Sequence, residues 1–368
     1  MLGFRLSGGS AEEADDSLQP DPKNMKRNSE KMKDILNIED RIYGNKEISD
    51  PLALEIINSN SFQRLKGIDQ AGWPPLWEKE NFPMGEFDHS RFAHSIGVYS
   101  LLGDFGASRE EKIAGLVHDV SHSAFSHTID YVLKQGSPEN QSHQDSFHEE
   151  YISKTDIPEI LKKYGIDLEY ILDDRNFPLK EKDLPDLCAD RIDYSLRTAV
   201  LFDEISQKEA QEILSNLKII DNKWIFSNYQ FARQYADLFE KLNRVYYSGF
   251  STAIMFQAVA DYLKYALDKK YIQESNLYLT DKEVIEKINN NLKKDKILEK
   301  LWMRMSDKKY FENNPDDFDV EVICKSRVVD PLCLDKDTVR RVSEIDPLWL
   351  EVISRESKPK RHYLKYKI

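Results

Sequence analysis

The chain has 368 residues, 40% hydrophobic and 32% charged, enough to bury a sizeable core in one large domain or two. Its 65 acidic residues outnumber 52 basic ones, and the net charge of −13 excludes a global basic field for nucleic acid or an anionic membrane. Three cysteines (Cys188, Cys324, Cys333) exclude a paired disulfide framework, and no apolar run approaches the roughly 20 residues of a membrane span. No basic-then-apolar leader opens the sequence, so the expectation is a cytoplasmic protein with no membrane association and no stable nucleic-acid partner.

The stretch "GGSAEEADDSLQPDPKN" (Gly8 to Asn24) is small, polar and acidic, and too poor in apolar side chains to offset its ordering entropy. Met25 follows as an alternative start, and residues 1–34 are expected to form a flexible tail. Leu54, Ile57, Phe62 and Leu65 then recur at helical intervals. Three prolines and two tryptophans between Trp73 and Phe87 suit a loop with a few buried anchors. From Arg91 the chain reads helix after helix: "RFAHSIGVYSLLGDF", "REEKIAGLVHDVSHSAFSHTIDYVLKQ", "DLCADRIDYSLRTAVLF". Strand signals are few before residue 215. In "LKIIDNKWIFSN" two β-rich runs flank Asp221-Asn222-Lys223, which predicts a hairpin. Long amphipathic stretches resume from Tyr229, and the tail "EVICKSRVVDPLCL" and "PKRHYLKYKI" suggests short strands around one helix. The expected architecture is mostly α: a helical core over 35–215, a hairpin and helical extension over 216–320, and a small α+β part over 321–368.

"LVHDVSHSAFSH" (Leu116 to His127) holds three of the chain's 8 histidines. In a helix, residues four apart lie about 40° apart around the axis, so His118 and His122 would share a face, with Asp119 turned away by about 100°. A metal held by both His118 and Asp119 must therefore sit at a bend or helix end, and Gly115, Ser121 and Ser123 leave room for it. Carboxylate and imidazole together suit Mn, Fe, Mg or Zn. Two ligands bind weakly, so others are expected elsewhere. "SRFAHS" offers His94, with Arg91 on the same helical face and aimed where an anion could be clamped. "CADRIDY" offers Asp190. The four make an H…HD…D series.

The series "RFAHSIGV…LVHDVSHSAFSH…HEE…ADRIDY" resembles the HD superfamily of metal-dependent phosphohydrolases, and within it the branch of the deoxynucleoside triphosphate triphosphohydrolases. The resemblance implies an HD-domain helical core with additional helices, in which His94, His118, Asp119 and Asp190 bind a divalent metal ion. It places His122 and His127 toward phosphate, and Asp130 with His148 as an Asp–His pair beside the attacked phosphorus. His143, five residues before His148, is the alternative partner. Gln70, Arg91, Arg191, Tyr194 and Tyr247 match positions that touch sugar or phosphate, and the two arginines would supply the local positive charge that the global balance lacks. The family also implies a nucleotide substrate and a homo-oligomer, a dimer or tetramer.

Three positions depart from that branch. Thr198 stands where an aspartate helps hold the sugar 3′-hydroxyl. Phe239 and Asn243 stand where the branch tends to carry an arginine for the terminal phosphate and a histidine near the sugar. The leading expectation is hydrolysis of a deoxynucleoside triphosphate to deoxynucleoside and triphosphate. The alternatives are a phosphodiesterase or phosphomonoesterase acting on another nucleotide or short oligonucleotide, and a nucleotide-binding regulator with little turnover.

Overall fold

A computed structural model describes residues 35–73 and 89–367. The tail expected over 1–34, and all of the proline-rich stretch after Trp73 up to Phe87, lie outside the described residues.

The described chain opens with a hairpin, β1 (Leu36–Asp40) and β2 (Gly44–Ile48), that the sequence pattern did not lead us to expect. Its strands alternate half-buried and exposed positions, and Gly44 at φ +70° closes the turn. The strands are short and polar, so little in their composition announces them.

The core is helical, and the caps are legible residue by residue. Ser90 accepts the Ala93 N–H at the start of the Arg91–Asp104 helix, and Ser108 accepts the Glu111 N–H at the start of Arg109–Val117. The second helix stops at Val117. His118 is its C-cap, and its ring bonds back to the Gly115 carbonyl. The long "REEKIAGL…YVLKQ" run is thus broken into a helix, a turn and a short 3-10 segment over Ser126–Tyr131, with Phe125 and Ser126 at left-handed φ of 59° and 45°. Downstream come the helices His143–Ile152, Ala189–Leu201, Tyr229–Leu242 and Phe250–Asp268. A π turn over Asn243–Tyr247 follows the third of these directly.

The expected hairpin forms as β3 (Leu217–Ile220) and β4 (Lys223–Phe226), with Ile220 opposite Lys223. It does not stand apart as part of an extension. β4 pairs in parallel with β7 (Leu332–Asp335), which pairs with β8 (Thr338–Arg341), giving a four-stranded sheet in the order β3-β4-β7-β8. A second sheet has the order β5-β9-β6, from Phe311–Asn313, Lys360–Tyr366 and Val320–Cys324. The fold is mostly α, with small sheets chiefly in the C-terminal part.

Three apolar clusters fill the interior. The Arg91–Asp104 helix serves two of them, giving Val98, Leu101 and Leu102 to one and Ile96 to another. The third gathers on the Phe250–Asp268 helix and takes Val322, Cys324 and Leu364 from the C-terminal sheet. No described helix is long and apolar enough to cross a membrane.

Candidate metal centre and catalytic cavity

Four side chains from three segments converge. His94 sits in the second turn of the Arg91–Asp104 helix and is fully buried; Asp190 lies in the first turn of Ala189–Leu201; His118 and Asp119 occupy the turn after Val117. His94 Nε2 is 2.9 Å from Asp190 Oδ1, 3.2 Å from His118 Nε2 and 3.7 Å from Asp119 Oδ2. His118 Nε2 is 3.5 Å from both Asp119 Oδ1 and Asp190 Oδ1.

The opposite ring nitrogens decide what the centre wants. His94 Nδ1 bonds to Asp193 Oδ2 at 2.7 Å, and His118 Nδ1 to the Gly115 carbonyl at 2.7 Å. Both partners are acceptors only, so both Nδ1 atoms carry protons. In the neutral rings the two Nε2 lone pairs would then face each other and two carboxylates. A positive charge is required at that point, and the cluster of two imidazoles and the Asp190 carboxylate, with Asp119 beside it, fits a divalent ion. The same demand shows in the protonation of the metal-free set. Burial disfavours a charged His94, yet its bonds to Asp190 and Asp193 raise its pKa to about 9.

A buried second layer fixes His94. Asp193 also accepts from Arg197 Nε (3.1 Å) and Nη2 (2.9 Å) and from the Tyr43 hydroxyl (2.9 Å), and Arg197 Nη2 reaches Asp40 Oδ2 at 3.0 Å. Burial pushes the Asp193 carboxyl up, but the Arg197 charge and the His94 bond bring it below the usual carboxylate range. The β1–β2 hairpin thereby clips onto the metal site from behind. Asp193 and Arg197 are legible as an i, i+4 pair in "DRIDYSLR"; nothing local to Asp40 or Tyr43 points to this role.

The centre lines a cavity of about 590 Å³, into which Gln70, Arg91, His122, His127, His148, Arg191, Tyr194, Tyr247 and Thr198 also project. His122 Nε2 lies 3.2 Å from Asp119 Oδ1, and burial followed by the Arg91 charge lowers its pKa to about 4. His127, its ring centroid 5.2 Å from that of His122, is held well below the ordinary histidine range by the same two causes. His148 Nδ1 meets the Ser121 hydroxyl at 2.7 Å; burial, then the Lys180 charge, takes its pKa to about 4. Gln144 Nε2 donates to the same Ser121 oxygen at 3.0 Å, so the hydroxyl is held between the two side chains and anchors the His148 ring through Nδ1.

Two expectations need correction. Asp130 does not pair with His148: its Oδ1 accepts the backbone N–H groups of Ser137 and His143, both at 3.1 Å, because the 3-10 turn carrying it aims the carboxylate under the following loop. Arg91 is not a free anion clamp. It donates to Asp119 Oδ2 (2.7 Å), Ser126 Oγ (3.1 Å) and the Gln70 carbonyl (2.7 Å), so it orients a ligand and braces two loops. Arg191 bonds through Nη1 to the Lys182 and Asp186 carbonyls, leaving a buried Nε without a partner. Between the two candidate histidines, His148 lines the cavity; His143 instead stacks on Phe147, with Tyr278 OH 3.5 Å from its Nε2.

The Gln70 Oε1 and Tyr247 hydroxyl are buried with no well-formed hydrogen bond, and Tyr194 packs edge-on against Tyr247 at 5.6 Å. Unsatisfied polar groups of this kind at a cavity wall are what a polar ligand completes. Two further side chains, Lys325 and Arg327 from the segment after β6, line the same cavity, and no motif in the sequence points to them. Only the tertiary fold brings them there.

A model of the HD domain family matches residues 91–218. The chain is 36% identical over 182 residues to the metal-dependent phosphohydrolase cns2 of Cordyceps militaris, covering 49% of this chain and 50% of that protein. It is 34% identical over 246 residues to the uncharacterized protein YdhJ of Bacillus subtilis, covering 67% and 73%. It is 29% identical over 231 residues to the deoxynucleoside triphosphate triphosphohydrolase SAMHD1 homolog of Dictyostelium discoideum, covering 54% and 42%. The match thus spans half the length of the first of these relatives and more than two thirds of the second. The HD-domain match falls on the helices that carry the two-histidine, two-carboxylate donor set, and with such coverage of a relative at 34% identity the chain belongs to the HD-domain superfamily of metal-dependent phosphohydrolases.

Proposed function

We propose that this chain hydrolyses a phosphate ester of a nucleotide, and that its most specific activity is conversion of a deoxynucleoside triphosphate to deoxynucleoside and triphosphate. One observation carries the reading: His118, Asp119 and Asp190, with His94 buried directly behind them, line the same cavity as His127, His148, Gln70 and Tyr247. The site residues are those named for the family by motif, less Asp130 and with Arg91 bracing Asp119 and the Gln70 loop rather than clamping an anion. A divalent ion held by the four ligands supplies charge neutralisation at phosphate oxygen and makes water acidic enough to act near neutral pH. The chain's own residues do the rest. His94 and His118 are locked in the tautomer that presents Nε2. His148 is placed as the proton donor to the leaving oxygen: neutral in the empty cavity, it would carry the extra proton once the negative charge of bound phosphate raises its pKa, and return to the neutral ring on giving it up. His127, kept neutral by burial, offers a hydrogen bond to phosphate without competing for the metal. Gln70 and Tyr247 contribute the unsatisfied polar atoms for the sugar side.

A specific observation favours a second reading, a phosphodiesterase or phosphomonoesterase. Phe239 is fully buried among aromatics, and Asn243 is fully buried in protein hydrogen bonds, so neither reaches the cavity where the family's arginine and histidine would act. Mass analysis of products from a screen of nucleotides against divalent metals separates the readings. Triphosphate plus nucleoside is the expected result. Orthophosphate or a nucleoside monophosphate would move the assignment to the second reading. Tight binding without turnover under every metal would leave a regulator.

A further inference from the structure

The cavity has an unassigned cationic wall. Lys325 and Arg327 follow β6 directly, in a part of the chain that the HD-domain match over residues 91–218 does not reach. Both are half-buried, and the fully buried cations of the cavity are engaged with protein: Arg91 with Asp119, Arg191 with two backbone carbonyls, and Lys180 with Asp174. Among the described residues Lys325 makes no hydrogen bond, and Arg327 donates only to the neutral Gln141 Oε1, at 2.8 Å, through its side chain. Neither has a carboxylate at ion-pair distance among those residues. Burial, then the neighbouring Arg327 charge, lowers the Lys325 ammonium to about 8 against the weaker pull of Asp145 and Asp130, neither of which forms an ion pair with it, so two like charges are held close together.

The backbone between them is clamped. Asn243 Oδ1 accepts the Arg327 N–H at 2.8 Å, and its Nδ2 donates to Ser326 Oγ at 2.9 Å and to Glu356 Oε2 at 3.2 Å. The residue that departs from the triphosphohydrolase pattern thus fixes the Lys325-Ser326-Arg327 segment against the cavity. A connected path leads there from the metal centre. Asp119 touches His122, His122 stacks edge-on against His127, and the charges of Arg327 and Lys325 are both felt at His127.

We infer that Lys325 and Arg327 bind the phosphates beyond the one at the metal centre, replacing the arginine that the Phe239 position lacks, with Asn243 as their positioning residue. The ligand class is a nucleotide bearing two or more linked phosphates. This rests on the phosphohydrolase reading above and narrows its substrate. Two cations with free donors suit a polyphosphate, since charge-assisted bonds to phosphate oxygens are the strong ones.

The test is calorimetric binding of tripolyphosphate and of orthophosphate to the purified protein under saturating divalent metal. Lys325→Gln and Arg327→Gln should each weaken tripolyphosphate binding by roughly tenfold to a hundredfold, as loss of a charged hydrogen bond does, and leave orthophosphate within twofold. Asn243→Ala, which keeps both cations, should weaken tripolyphosphate alone. Metal content and helicity are measured on each variant, and Arg327→Lys, expected to retain part of the affinity, guards against a folding loss. Unchanged tripolyphosphate binding in both charge variants overturns the inference, and so does equal weakening of the two anions. The two readings fail separately. Lys325-dependent tripolyphosphate binding without nucleotide turnover sinks the hydrolase reading only. Turnover of a nucleoside triphosphate with wild-type KM in both charge variants sinks this inference only.

Discussion

Asp119 illustrates how one side chain can serve two structural demands. One oxygen is held by Arg91 at 2.7 Å, and the other lies 3.2 Å from His122 and 3.5 Å from His118. Burial pushes its carboxyl up, but the Arg91 and His118 charges bring it well below the carboxylate range, so it stays ionised as a ligand must. Asp119→Ala is expected to lose bound metal and activity together while keeping most helicity. Retention of stoichiometric metal by elemental analysis would remove Asp119 from the ligand set. His148 is tied to Ser121 and lies off the donor set, so His148→Ala should keep its metal and lose roughly 100-fold to 10,000-fold in turnover, the usual range for a general acid. His143→Ala should stay near wild type. The reverse ranking in steady-state assays would transfer the role to His143.

At the scale of elements, the decisive contact is between the helices Arg91–Asp104 and Ala189–Leu201. A Cβ on Gly97 would fall 2.0 Å from Asp193 Oδ1 and 2.3 Å from Arg197 Nη2. Only glycine lets the Asp193–Arg197 pair lie close enough for Asp193 to hold His94. Gly97→Ala should therefore cost stability by about 1–3 kcal/mol through overpacking and weaken metal affinity about 10-fold to 100-fold through the displaced second layer. Urea titration and a metal-competition assay read the two effects. A stable variant with wild-type metal affinity would show that the layer tolerates rearrangement and does not set the ligand geometry.

At the scale of the whole molecule, the C-terminal half grips the catalytic loops. Asp281, at the start of the helix Asp281–Asn289, accepts the Phe125 N–H at 2.8 Å and the Asp69 N–H at 2.9 Å. Asp69 in turn accepts from the backbone of Ala71, Gly72 and Trp73 and pairs with His89. Gly72 sits at φ +87° so close to the Phe125 carbonyl that a Cβ would lie 2.2 Å from its oxygen. Burial pushes the Asp281 carboxyl up to about 7, against the pull of the two N–H donors. A carboxyl with a raised folded pKa holds its proton in the native state at a pH where the unfolded chain has released it. Its contribution to stability is thus fully present below about pH 4 and is lost as pH rises toward 7. The slope from this one group is at most about 1.4 kcal/mol per pH unit. Urea midpoints measured every half unit between about pH 4.5 and 8 should show this fall in the wild type and a flatter profile in Asp281→Asn. Identical profiles would mean that Asp281 is ionised in the native state throughout.

The sequence by itself determined the helical character, the order of the residues proposed to hold the metal and the need for a bend at His118-Asp119. Those features depend on local periodicity, caps and residue chemistry, which the chain carries from one turn to the next. It also carried the Asp221-Asn222-Lys223 hairpin. It did not carry the short polar β1–β2 strands, whose partner in the fold is a buried Asp–Arg pair more than a hundred residues away. It misassigned Asp130, because a side chain beside an active site and one capping the next loop have the same local pattern. The tertiary structure alone decided that Phe239 belongs to the core, that Asn243 holds a backbone segment, and that Lys325 and Arg327 enter the cavity from the far end of the chain. A charge becomes part of a site through the packing of distant elements, and no window along the sequence contains that packing.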